Sequence, residues 1–459
     1  MFRSKVRERR IFSNRRQKRR RFAWLGTIAS VMLFLLILEL LTRILIDISG
    51  DRQQPAQTKS EPSLVEAYQL NFIEPGTTSK EDRGGLKAKK ALSVGYELVG
   101  NQTSQHWQIN EQGFRDDRVV PLQKSSDEIR IFLLGGSTAF GYGNIADSAT
   151  ISNQLEQRLA QRLQQQQTSP GLYKPDLLPV DPAQRQKSLA KPSKIKSGDY
   201  RVINAAVPGY ASGNELAQVA LKILKYKPDL IVVIDGYPDL MLPSDRQGIL
   251  ANDREEESSE LELFGKKMLQ PLRNNSLLVK KVEDYWISSQ KTDSKANFVL
   301  DEETAKLVEH LPESETELQS RIARYLQHHK QILNLGAAAQ VPLVVAIQPE
   351  ITGRNPSQLT NQEGEIATQL GRTYIRRVRD NYPLFAKAVA KLAQAYPQNI
   401  KVVDLYKLTD KYPSPSFIDA IHLNEAANEK VAEQLYYAIS SFSKMQVTPK
   451  APAPVPAKK

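Results

Sequence analysis

Cysteine is absent from the 459 residues, which removes three chemistries: a disulfide framework, a thiolate metal site and a cysteine nucleophile. Histidine is scarce, with five in all. No His/carboxylate pair stands at ligand spacing, so no metal is expected, and no cofactor. Diffuse positive charge is lacking too, despite a net charge of +12. Residues 1–21 hold eleven Lys and Arg against one Glu, so +10 sits in the tail and +2 is left for the other 438 residues. A nearly neutral body gives no reason to expect a nucleic-acid partner.

The basic tail abuts residues 22–38, seventeen residues without a charge, and the apolar character resumes after Glu39 and Arg43 up to residue 46. At 1.5 Å per residue, 22–46 is long enough to cross a hydrocarbon core of about 30 Å. Glu39 and Arg43 stand four apart and can pair on one helix face. The positive-inside rule puts residues 1–21 in the cytoplasm and exports the remainder. A cleaved signal peptide is the rival reading, but no small-x-small cleavage site follows the run. The expectation is a single-pass protein of the inner (plasma) membrane that contacts lipid through this anchor, with its main domain on the periplasmic, extracytoplasmic side.

Residues 47–94 are polar and read as a juxtamembrane linker. The segment from 95 to 443 reads as one domain, with insertions at 164–199 (Gln/Pro/Lys/Ser-rich, mobile) and 245–330 (charged, helical), and 444–459 as a disordered Pro/Ala/Lys tail. Five short apolar runs predict strands at 129–134, 200–204, 230–234, 341–347 and 400–405. Helical periodicity falls between them, at 148–163, 216–224, 318–335, 360–396 and 426–439. This alternation predicts an α/β domain on a parallel sheet.

Chemistry-bearing residues gather where strands end. Residues 129–141 read IRIFLLGGSTAFG, so Ser137 is the first reactive side chain beyond a Gly-Gly turn. In open α/β sheets ligands sit outside the carboxyl ends of strands, which places Ser137 as a nucleophile. A plain βα turn with a helix cap fits the same letters. Gly209 follows the second strand, and Gly236, Pro238 and Asp239 follow the third. Only His422 stands three residues after an acid, Asp419, in a loop before a helix. That spacing lets Asp419 accept from one ring nitrogen and leaves the other free to take a serine proton. A turn with a helix cap is the alternative there.

Together the Gly-Gly-Ser137-Thr-Ala-Phe-Gly, Val-Pro-Gly209-Tyr, Gly236-Tyr-Pro238-Asp239 and Asp419-Ala-Ile-His422 blocks resemble those of the SGNH (GDSL-like) hydrolases. The Asn110-Glu-Gln-Gly-Phe-Arg115 run resembles membrane-anchored members. The resemblance spans about residues 108–440 and implies a three-layer α/β/α, flavodoxin-like fold with a parallel five-stranded sheet. It implies Ser137 as nucleophile, His422 as base and Asp419 as its orienting acid, with the Ser137 and Gly209 N–H groups as oxyanion donors. The roles of Gly236, Pro238 and Asp239 stay open, because Pro238 stands where the family usually has an oxyanion Asn. Loss of such a donor typically costs on the order of 10²–10³ in turnover. Asn204, at the end of the second strand, is either a substitute donor or a clamp on the turn. The function expected is an esterase or acyltransferase moving a small acyl group, such as acetyl, on an ester or envelope glycan. The alternative is an inactive scaffold that binds a membrane protein partner.

Overall fold

In the computed structural model, the structure describes residues 64–73, 85–91, 93–248, 304–410 and 415–451. The proposed anchor at 22–46 lies outside the described residues. Among the described residues, no helix is long and apolar enough to cross a membrane.

The chain enters through α1 (Leu64–Tyr68) and a small sheet of β1 (Leu70–Phe72), β2 (Leu86–Ala91) and β3 (Gly95–Leu98). A short ladder of β4 (Gln102–Thr103) and β5 (Gln108–Ile109) follows. The linker reading of 47–94 therefore fails from residue 64 onward. Lysines mask the pattern: in β2, Leu86 and Ala88 point inward while Lys89 and Lys90 are exposed. Tyr68, Tyr96 and Trp107 then bury this lead-in against the rest.

The main sheet starts with β6 (Glu128–Gly135), followed by α2 (Ser137–Phe140) and α3 (Ile151–Thr168). Then α4 (Pro182–Leu189) leads to β7 (Asp199–Asn204), α5 (Ser212–Gln218), β8 (Leu230–Asp235) and α6 (Tyr237–Met241). Beyond them lie α7 (Glu315–Ala338), β9 (Leu343–Ile347), α8 (Asn361–Asn381), α9 (Pro383–Ala395), β10 (Ile400–Asp404) and α10 (Glu425–Ser440). All five strands from β6 are parallel, in the order β10-β9-β8-β6-β7. This is the flavodoxin-like order, whose switch point lies between the first and third strands, here β6 and β8. Helices α3 and α10 pack together against the sheet, and α5, α7 and α9 form a second packed group, giving three layers. Every described residue belongs to one compact unit, built from 61–253 and 296–459.

The central strands β8 and β9 are buried throughout, which explains their unbroken apolar runs. The two charges in β6 pair with each other: Arg130, fully buried, grips Glu128 with two bonds of 2.6 and 2.9 Å. Its Nη1 also reaches the carbonyls of Pro121 and Tyr226, so this buried charge is paired.

Four boundaries differ from the sequence expectation. The 164–199 stretch is not structureless: α3 runs on to Thr168, and Asp181 caps α4 with Pro182 in its first turn. Nor is the whole tail from 444 disordered, since residues 445–450 lie along that stretch. Lys196 and Leu178 donate to the Met445 and Lys450 carbonyls, and Val447 and Lys450 donate back to Lys194 and Asp176. Composition hides such a pairing, because each segment takes its backbone partners from the other. Of the 245–330 insertion, 249–303 lies outside the described residues. Its end is core instead, since α7 starts at Glu315 with Tyr325 and His329 fully buried. The 360–396 helical run divides at Tyr382-Pro383 into α8 and α9.

Candidate active site

Strand β6 ends on Gly135, whose φ of +145° lies in the region open to glycine. A Cβ there would stand 2.2 Å from the Ile234 carbonyl, so the β6–β8 contact demands glycine. The chain then turns at Gly136, and Ser137 opens α2 with only 3% of its surface exposed. This single helical turn closes at Gly141, whose N–H donates to the Ser137 and Thr138 carbonyls. Ser137 is thus held in a rigid strand–turn–helix corner at the switch point.

His422 lies in the loop before α10, which Asn424 caps by accepting from the Ala427 N–H at 3.0 Å. Its Nδ1 meets Asp419 Oδ2 at 2.5 Å. Asp419 Oδ1 also accepts the N–H groups of Ile421 (2.9 Å) and His422 (2.8 Å). Burial pushes the Asp419 carboxyl up, but the His422 charge and these three hydrogen bonds outweigh it, holding the group below its ordinary 3.8. His422 Nε2 is buried without a hydrogen-bond partner among the described residues. Ser137 Oγ has no partner among them either, so the Ser137–His422 bond itself is not formed. Such contacts often tighten only with substrate in place. The His422 ring lies against Tyr142, centroids 4.5 Å apart, and the Tyr142 N–H donates to the Ser137 carbonyl at 3.0 Å. Tyr142 carries no motif signal, being one residue beyond the serine block.

Gly209 turns with φ +88° after Pro208, whose carbonyl accepts from the Tyr96 hydroxyl at 2.7 Å. The N–H groups of Ser137 and Gly209 make no hydrogen bond among the described residues. Pro238 sits in the first turn of α6, where a missing N–H costs nothing. It supplies no donor, and its Cγ lies 3.6 Å from where a Gly136 Cβ would be. Asn204 is spent on the turn: its Nδ2 lies 3.2–3.3 Å from the Ala139 and Phe140 carbonyls and Ser152 Oγ. Its Oδ1 takes the Ala206 N–H.

Asp239 faces the interior, not the serine corner. It accepts the Ser212 N–H at 3.0 Å and the Ser212 hydroxyl at 2.5 Å, anchoring the start of α5. Ser212 Oγ also meets His328 Nδ1 at 2.8 Å. Burial, then the nearby Arg324 and His329 charges, push His328 down to about 4, so it is neutral near pH 7. Gly236 packs against Tyr382, whose hydroxyl would lie 3.2 Å from a Cβ there. Among the described residues, no group of His, Asp and Glu could hold a metal ion.

The Asn110–Arg115 run proves to be a device of this site. Asn110 Oδ1 accepts the Gln112 and Phe114 N–H groups, and Phe114 packs on Phe132 and Tyr226. Arg115 is thereby delivered to the carbonyls of Phe140 (3.0 Å) and Gly141 (2.9 Å) at the end of α2.

A family model described as GDSL-like Lipase/Acylhydrolase matches residues 293–435, which include Asp419 and His422 but not Ser137. The match supports a relationship to that family. Ester hydrolysis is the class of chemistry it supports. No curated protein matches the chain. Among solved structures, a lipase/acylhydrolase from Enterococcus faecalis aligns at 14% identity and TM-score 0.33, covering 68% of this chain and 95% of that one. The acetyl xylan esterase AlAXEase aligns at 12% and 0.32, covering 68% and 100%. An acetyl xylan esterase from Geobacillus stearothermophilus aligns at 12% and 0.33, covering 68% and 95%.

Proposed function

We propose that the protein is a membrane-anchored serine esterase or acyltransferase with Ser137 as nucleophile, His422 as base and Asp419 as the acid that orients it. The observation that carries this reading is the His422 ring: one nitrogen bound to an ionised Asp419, the other buried and unpartnered beside the serine corner. In this scheme Ser137 Oγ attacks the ester carbonyl carbon as its proton passes to His422 Nε2. The tetrahedral oxyanion is met by the Ser137 and Gly209 N–H groups. Collapse breaks the ester C–O bond, and His422 returns the proton to the departing alkoxide. Water, or the hydroxyl of an acceptor, then attacks the acyl-serine by the reverse sequence. The near-complete burial of Ser137 favours a small acyl group such as acetyl. Anchoring through 22–46, with the domain outside the cytoplasm, favours an envelope glycan as the ester or acceptor.

The test is hydrolysis of an activated acetyl ester by the full chain in detergent, with Ser137→Ala beside it. Turnover is expected to fall by at least about a thousandfold in the variant; equal turnover would reject the nucleophile. Pro238 favours a second reading, an inactive scaffold on the same fold. On that reading His422→Ala leaves cellular function intact, whereas loss of function on that substitution supports the enzyme.

A further inference from the structure

We propose that Thr138 and Asn144 are positioning residues that hold the His422 loop against the serine corner, with Tyr68 from α1 holding Asn144 in turn. This deepens the enzyme reading above and rests on it. Ser137 and His422 lie far apart in the chain and on different elements, so something must set their separation. The Thr138 hydroxyl donates to the Ile421 carbonyl at 3.2 Å, and Asn144 Nδ2 donates to the Leu423 carbonyl at 3.1 Å. Those are the carbonyls of the two residues on either side of His422, whose own carbonyl accepts from the Ile418 N–H, and both donors come from the seven residues that follow Ser137. The loop's other anchors lead elsewhere: Ile351 N–H reaches the Ala420 carbonyl, and Glu363 takes the Ser416 N–H.

Each member of the clamp is itself held. Gln348 Nε2 donates to Thr138 Oγ1 at 3.2 Å, which leaves the Thr138 proton to Ile421. Asn428 Nδ2 donates to Asn144 Oδ1 at 3.0 Å, which fixes the amide so that Nδ2 faces Leu423. The Tyr68 hydroxyl donates to the Asn144 carbonyl at 2.6 Å and accepts from Arg115 at 3.0 Å. Thr138, Asn144, Asn428, Gln348, Tyr68 and Arg115 are all buried, so water does not compete for these bonds. The lead-in thus reaches the His422 loop by way of Asn144, through the Tyr68 hydroxyl.

The variants are Thr138→Val, Thr138→Ser, Asn144→Asp and Tyr68→Phe in the full chain. Asn144→Asp keeps the acceptor facing Asn428 and replaces the donor facing Leu423. Thr138→Val and Asn144→Asp are expected to lower kcat roughly tenfold to a hundredfold with KM unchanged. Tyr68→Phe should fall severalfold, and Thr138→Ser should restore wild-type turnover. The second readout does not need activity: ring 15N resonances of labelled histidine, tractable with five histidines and assigned by His422→Gln. The His422 signals should move in Thr138→Val and Asn144→Asp and return in Thr138→Ser, at wild-type melting temperature. Unmoved signals in both variants, or a kcat within twofold of wild type, would overturn the clamp. If Ser137→Ala keeps full turnover, the enzyme reading fails while the His422 resonances still decide whether the clamp exists.

Discussion

At the scale of single residues, the site divides into groups that could react and groups that keep them in place. Asp419 makes three hydrogen bonds, all to residues within three positions of it, so the acid and its histidine form a local unit. Ser137 belongs to a different unit, fixed by the glycine turn, Arg115 and Asn204. On the proposed mechanism the oxyanion would meet two backbone donors and no third from Pro238, which has neither N–H nor side-chain amide. A proline in the first turn of α6 is structurally comfortable, so replacing it need not strain the fold. Pro238→Asn is expected to raise acetyl-ester kcat by roughly tenfold, part of what one donor is worth. Steady-state kinetics with matched melting curves check this. A variant that folds normally and turns over no faster would mean that two backbone donors suffice.

At the scale of elements, the pairing of residues 445–450 with the stretch after α3 closes the molecule opposite the serine corner. Met445 is buried, and four backbone hydrogen bonds tie the two segments. Truncation after Ser443 is expected to cost on the order of 3 kcal/mol, from one buried side chain and several net hydrogen bonds. That should lower the melting temperature by several degrees with ester turnover retained. The five core strands were legible in the sequence because burial on both faces writes continuous apolar runs. The turns at Gly135 and Gly209 and the Asp419–His422 contact were legible because such turns and side-chain pairs need particular residue types. The clamp was not: Thr138, Asn144 and Tyr68 act on backbone carbonyls, which have no sequence identity. The lead-in sheet was hidden by Lys89 and Lys90, and the terminal pairing by its proline-rich composition.

At the scale of the whole molecule, the sheet order gathers the candidate residues at one end, with Ser137 after β6 and Gly236 after β8 flanking the switch point. The segment after β9 reaches the same end, since Ile351 N–H holds the Ala420 carbonyl beside Asp419. That segment carries a buried acid, Glu350, which accepts the Thr352 N–H at 2.8 Å and the Tyr374 hydroxyl at 3.1 Å. Burial pushes its pKa up from 4.5 to about 7, against the lowering effect of those hydrogen bonds and of Arg379. A folded-state value above the unfolded one means that the native protein binds the extra proton. Its stabilising contribution is therefore complete below about pH 4.5 and is lost as pH rises through about 7. The shift corresponds to roughly 3 kcal/mol in all. Melting temperature followed from pH 5 to pH 8 should carry this decline in the wild-type protein, and Glu350→Gln, which cannot ionise, should remove it. An unchanged pH slope in the variant would show that Glu350 is already ionised at pH 5 in the folded molecule. The loop holding Asp419 would then rest on a charged anchor throughout that range.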